Sequence, residues 1–160
     1  MNPESVAYYQ TGSLDGVSMR NNKDSFRKCR IVPRVMRDVS HVVPQTTIFG
    51  LPSALPIYIS PASNAVLGHP DGELNLTRGV SWLSPDSLLN QLTGHQAART
   101  GIVQGISYVA SYPLGDILSE KRKMDAESGE PMGMVYQVYV RTDREKTASS
   151  VRQAINGGCQ

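Results

Sequence analysis

Three short runs of β-branched and aliphatic residues, each bounded by turn residues, read as buried parallel strands. They are Leu55 to Ser60 (LPIYIS), Ile102 to Ile106 (IVQGI) and Met134 to Val140 (MVYQVYV). A helical signature follows each run. The first helix opens with Pro70, with Asp71 and Glu73 in its first turn; the second runs from about Pro113 into Lys123; the third spans about Asp143 to Asn156 before Gly157-Gly158. The predicted order is therefore βα, βα, βα. The second and third strands start 32 residues apart (102 and 134), a natural βαβ period, whereas the first and second start 47 apart (55 and 102).

The excess lies in one place. Removing the 17 residues from Val80 to Gln96 joins DGELNLTRG (71–79) to AARTG (97–101) and leaves one 14-residue helix from Pro70 to Thr100, with Gly101 as its C′ residue. Pro85 and Gly94 have the wrong chemistry for the interior of such a helix. Val80-Ser81 can be encoded by GTGAGT, an intron start, Leu92-Thr93 can contain CTGAC, and Gln96 can end in CAG. The segment 80–96 is read as a retained short intron. A genuine insertion is the alternative, since Ser84-Pro85-Asp86-Ser87 is a respectable helix start.

Composition narrows the class. A chain of 160 residues that is 39% hydrophobic can bury one ordinary core, and a net charge of +2 with short basic runs (Arg27-Lys28-Arg30, Lys121-Arg122-Lys123) does not point to nucleic acid. Cys29 and Cys159 have neither disulfide-framework nor zinc spacing, so no metal is expected. Without a membrane-length apolar run, a signal peptide or a peroxisomal tail, a soluble intracellular protein is expected, cytoplasmic by default.

Alternation along the third strand places Val135, Gln137 and Tyr139 on one face and Met134, Tyr136, Val138 and Val140 on the other. A glutamine and a tyrosine on one face of a buried strand need polar partners. They either bond one another or the backbone, or face a ligand at the C-terminal mouth of a βα barrel. The other strands also end in small or polar residues, Pro61-Ala62-Ser63 and Ser107-Tyr108, so three strand ends converge on one mouth.

The stretches AYYQTG (7–12), VPRVMRDVS (32–40), LPIYISPAS (55–63), LGHPDGELNLTRG (67–79), AARTGIVQGIS (97–107) and VYQVYVRTDREKT (135–147) resemble the FMN-dependent 2-hydroxy-acid dehydrogenase and oxidase family, which includes glycolate oxidase and the flavocytochrome-type L-lactate dehydrogenases. The resemblance covers nearly the whole chain outside 80–96. It implies an α/β fold, a TIM barrel of FMN-linked type, of which residues 1–160 carry the N-terminal part with about three βα units. It also implies oxidation of a small 2-hydroxy acid with non-covalent FMN, and homo-oligomeric intact relatives. By resemblance, the backbone of Pro61, Ala62 and Ser63 packs on the flavin ring, and Ser107 and Gln137 bond it. Tyr8 and Tyr139 contact the substrate and take part in catalysis, and Val109 lies beside the substrate side chain. Read without the family, Tyr8 and Tyr9 are packing residues. The family's histidine base, its aspartate partner, its carboxylate-binding arginines and its phosphate site come from later strands. None can be assigned to His41, His69 or His95. The chain is thus expected to be inactive alone, and an open three-strand sheet with uncovered edges is expected to fold poorly or to associate. A truncated, non-enzymatic paralogue acting through protein association is the competing reading.

Overall fold

The computed structural model describes residues 2–40, 42–82 and 101–160, with Trp82 described by its backbone only. His41, His95 and most of the segment 80–96 lie outside the described residues. The chain divides into two compact units, Met1–Val42 and Val43–Gln160.

The first unit holds two helices that the strand pattern did not foresee, α1 (Pro3–Gln10) and α2 (Val17–Lys28). The start of α1 is set locally: Asn2 is its N-cap, its Oδ1 accepting the Ser5 N–H at 2.8 Å, and Pro3 occupies the first turn, where a missing N–H costs nothing. None of the residues of α2 is buried.

The second unit begins with an unforeseen antiparallel hairpin, β1 (Thr46–Ile48) and β2 (Leu51–Ser53). Its two-residue turn, Phe49-Gly50, has φ of 53° and 76°, the pair of positive values that a tight hairpin requires to match strand twist. Three parallel strands follow, ordered β3 (Tyr58–Ile59), β4 (Val103–Ser107) and β5 (Met134–Gln137). The helices between and after them are α3 (Gly72–Trp82), α4 (Leu114–Ser128) and α5 (Arg144–Asn156). The βα, βα, βα order is observed, in a sheet that is open rather than closed.

The boundaries differ from expectation in instructive ways. The first strand is reduced to Tyr58–Ile59, because Ala54-Leu55-Pro56 forms a bend in which Ser53 Oγ donates to the Leu55 carbonyl at 2.8 Å, and Pro56 has no N–H to give a ladder. The third strand ends at Gln137, three residues before Val140, because its ladder partner β4 ends at Ser107. Helix α3 does not stop at Gly79: Val80, Ser81 and Trp82 complete its last turn. Helix α4 runs five residues past Lys123, to Ser128, and is closed by Gly129 in the left-handed conformation (φ 77°), whose N–H reaches the Asp125 carbonyl. Asp143, expected as the first residue of the last helix, is instead the N-cap of α5, its Oδ1 accepting the Lys146 N–H at 3.1 Å.

The core lies between the sheet and the helices. Ile102, Ile106 and Met134 meet Val80 of α3, Ile117 and Leu118 of α4, and Ala154 and Cys159 at the end of α5. Helices α3 and α4 are also tied by Arg78, which bonds Glu120 at 2.5 Å and Asp71 at 3.0 Å and holds the Glu120 carboxyl below its ordinary range. On the outer edge of β5, Gln160 donates its N–H to the Met134 carbonyl (3.0 Å) and accepts the Tyr136 N–H (2.9 Å). These two bonds form a parallel rung.

Candidate active site

The register of β4 on β5 sets the site. Gln104 pairs with Met134 and Ile106 with Tyr136, whereas Gly105 pairs with Val135 and Ser107 with Gln137. Ile106 and Met134 belong to the helix-side core and Tyr136 packs against it, so Gly105, Ser107, Val135 and Gln137 share the opposite face. The facing expected for residues 134–137 is thus observed. Gly105 is required there. A Cβ at this position would lie 2.5 Å from Pro61 Cδ, so only glycine lets the segment after β3 cross β4 against the sheet.

That crossing brings Pro61 over the same face as Ser107 and Gln137. Ser107 Oγ donates to Gln137 Oε1 at 3.4 Å and accepts the Val109 N–H at 3.3 Å. The amide of Gln137, half-buried at the end of its strand, adds two N–H donors and a carbonyl acceptor, the neutral set that suits a flat heteroaromatic edge carrying alternate C=O and N–H groups. Pro61 packs directly on Gly105, so a flat ring would lie beyond Pro61, on the side away from the sheet, with its polar edge toward Ser107 and Gln137. The bond expected between Gln137 and Tyr139 is not the one observed: Gln137 is joined to Ser107.

Two site residues stand elsewhere. Tyr139 lies two residues beyond β5 and is 51% exposed, so strand alternation does not fix its direction. Tyr8 belongs to α1 in the amino-terminal unit, where it meets Tyr9 edge-on (5.3 Å, 83°). Val109 is half-exposed in the loop after β4. His69 accepts the Asp71 N–H at 3.1 Å ahead of α3.

Sequence reading missed three structural partners of the site. Glu73, buried in the first turn of α3, accepts the Ser111 N–H (2.9 Å) and the Ala65 N–H (3.3 Å), fastening the loops after β4 and β3. Tyr108 accepts a hydrogen bond from Arg141 Nη1 at 3.0 Å. An acidic first-turn residue gave the only signal for Glu73; Tyr108 was read as a polar strand end, but its pairing with Arg141, 33 residues away, gave no signal. Behind the strand ends, on the helix side, Tyr108, Tyr112, Tyr136, Ser150 and Gln153 line an open pocket of about 420 Å³. Ser107, which bonds Gln137, also lines it. Among the described residues no cluster of metal-ligating side chains occurs, and no helix is long and apolar enough to cross a membrane.

Residues 1–160 match the family model described as FMN-dependent dehydrogenase. The chain belongs to that family. Among its relatives, an L-lactate dehydrogenase (cytochrome) of Wickerhamomyces anomalus is 30% identical over 98% of this chain and 23% of its own length. Glycolate oxidase 3 of Arabidopsis thaliana is 35% identical over 94% of this chain and 34% of its own. Among solved structures, a flavocytochrome b2 variant with pyruvate bound superposes with a TM-score of 0.79 at 25% identity, covering 99% of this chain and 35% of that one. A mandelate oxidase variant with (S)-mandelic acid gives 0.75 at 24% identity, over 99% and 39%. The chain thus spans about a quarter to a third of the curated relatives it matches. Its open sheet is the corresponding part of the FMN-linked TIM barrel.

Proposed function

We propose that this chain supplies the ring-binding side and one substrate-contacting tyrosine of a site that oxidises a small 2-hydroxy acid, of the lactate or glycolate class, to the 2-oxo acid. The observation that carries this reading is the Ser107–Gln137 pair on the open face of the sheet beside Pro61 and Gly105. Bound FMN would supply the two-electron acceptor. The chain's own residues bind and orient. The Pro61-Ala62-Ser63 backbone would lie along the ring, Ser107 and Gln137 would bond its polar edge, Tyr139 would offer its hydroxyl to the substrate, and Val109 would lie beside the substrate side chain.

No base is assigned to these residues. The α-proton must leave to a group outside this set, and the substrate carboxylate needs a cation that Arg141, engaged with Tyr108, does not offer. The chain alone is therefore inactive in this reading, and turnover belongs to a completed barrel, formed in a soluble, cytoplasmic homo-oligomer.

The test has two arms. Purified chain mixed with FMN and glycolate, lactate or mandelate should give no substrate-dependent flavin bleaching; bleaching above a buffer control overturns the inactivity. Chain completed with the remaining βα units of a close relative should bleach with one of these acids, and Gln137→Leu should weaken its FMN binding. Failure of the completed protein to bleach while FMN is bound overturns the activity.

A second reading, association without catalysis, is favoured by Gln160. Its two bonds to β5 indicate that the outer edge of β5 accepts a parallel partner, which a strand of another polypeptide would have to displace or extend. A monomeric chain that ignores added barrel fragments in sedimentation would sink it. For the segment 80–96, removal from the mature message remains our reading. It is supported by the strand spacing that its removal restores, whereas Val80, its first residue, is buried in the core and accepts the Ile102 N–H at 3.2 Å, which favours a true insertion at that end. Sequencing of cDNA across codons 70 to 105 tests it, and a uniform population that retains the segment promotes a true insertion.

A further inference from the structure

Tyr139 sits where no ladder reaches. The last described pair of the sheet is Ser107 with Gln137, and the loop from Val138 to Thr142 leaves it with Val140 and Arg141 exposed. A tyrosine on an exposed loop samples many rotamers, and a hydroxyl that must meet a substrate at hydrogen-bond distance cannot do so from all of them.

Three contacts converge on one residue of the neighbouring strand end. The ring of Tyr139 meets the ring of Tyr108 edge-on, centroids 6.4 Å apart and planes at 87°, the T-shaped arrangement that aromatic quadrupoles favour. Two residues on, Arg141 Nη1 donates to the Tyr108 hydroxyl at 3.0 Å, with its guanidinium carbon 5.8 Å from the same ring centroid. The far end of the loop is held in turn by the Arg141 N–H, which donates to Thr147 Oγ1 of α5 at 3.2 Å. Tyr108 itself leans on Tyr136, whose ring packs against the core (6.4 Å, 43°). Core, Tyr136, Tyr108 and loop form one chain of contacts. The electrostatics agree: the guanidinium holds the Tyr108 hydroxyl below the ordinary tyrosine range, as expected of a phenol accepting a cationic donor.

We propose that Tyr108 is a positioning residue for Tyr139, acting through its ring on the Tyr139 ring and through its hydroxyl on Arg141, so that the loop after β5 is held over the strand ends by side chains rather than by backbone pairing. The proposal rests on the reading of Tyr139 as a substrate-contacting residue, but its geometry needs neither flavin nor substrate. A test made without them can fail while the proposed activity stands, and the reverse.

The full 160-residue chain, carrying 3-fluorotyrosine at its seven tyrosines, provides that test by fluorine NMR, with resonances assigned by single Tyr→Phe substitutions. Tyr108→Leu removes both contacts and should move the Tyr139 resonance to the shift and linewidth of a solvent-exposed tyrosine, while Tyr58, which meets Phe49 in a different part of the sheet, keeps its position. Arg141→Met keeps the ring contact and should give a smaller displacement of Tyr139 in the same direction. An unmoved Tyr139 resonance in Tyr108→Leu, with Tyr58 in place and Tyr136 displaced, overturns the proposal. If Tyr58 also moves, showing that the leucine variant has lost its fold, Arg141→Met decides: an unmoved Tyr139 there overturns the proposal equally.

Discussion

The two units of this chain are of one polypeptide and use opposite strategies. In Met1–Val42, α2 carries Val17, Met19 and Phe26 among nine polar residues, and after it Ile31, Val32, Val35, Met36 and Val39 stand in irregular chain with most of their surface in water; Ile31 is 96% exposed and Met36 fully so. In Val43–Gln160 the apolar residues recur with the period of the element that holds them. Ile102 and Ile106 point to one side of β4, and Ile117, Leu118 and Met124 recur along one stripe of α4, all of them buried. The difference shows that apolar content alone does not make a core. Residues must fall on one face of a regular element, and that element must find another face to cover it.

The widest gap between the units should appear in their thiols. Cys29 is exposed, whereas Cys159 is 8% exposed, and burial pushes its pKa up to about 11, which leaves a thiolate fraction of about one in a thousand at pH 8. Alkylation followed by mass spectrometry should label Cys29 at least about 100-fold faster, with Cys159 labelled only in denaturant. Equal rates would mean that the second unit has no closed core.

Next in size is truncation of a core residue. Ile117→Ala should cost about 2–5 kcal/mol in urea unfolding, while Ile31→Ala should stay within about 0.5 kcal/mol. A cost at Ile31 approaching that at Ile117 would show that the first unit's apolar residues are covered in solution. Gly105→Ala should fall below Ile117→Ala, at about 1–3 kcal/mol, because the added methyl must displace Pro61 from the sheet. Circular dichroism at equal Tm for this variant and the parent would break the close approach of Pro61.

The smallest effect sharpens the comparison most finely, since each unit has one helix capped by the same chemistry. Asp143→Ala should lower the Tm of the cooperative transition slightly, whereas Asn2→Ala should leave it unchanged and only reduce helical signal. The Asp143 carboxyl is held below the ordinary aspartate range by the Lys146 N–H. Its folded-state value is depressed, so its contribution is complete above the unfolded value, about 3.9, and fades as pH falls through the folded one. A thermal scan between pH 6 and pH 2 should therefore show the Asp143→Ala difference shrinking at the acid end.

Local chemistry was enough to read much of this chain. Pro, Gly and capping residues marked the start of α5 at Asp143 and its end at Gly157-Gly158. β-Branched runs marked β4 and β5, though overrunning β5 to Val140, and alternation separated Tyr136 from Gln137, because in all of these the signal lies within a few residues of its effect. What the tertiary structure decided is whatever depends on a partner far away in the chain. β5 stops at Gln137 because β4 stops at Ser107, although Val138 to Val140 would suit a strand. Gly105 is needed because Pro61 crosses it, Glu73 is buried because the Ser111 and Ala65 amides need an acceptor, and Tyr139 takes its place from Tyr108 and Arg141. Strand and helix periods are properties of adjacent residues and are written in order along the chain. The end of a ladder, the room for a methyl group and the direction of an exposed tyrosine are properties of neighbours in space, which no window of sequence contains.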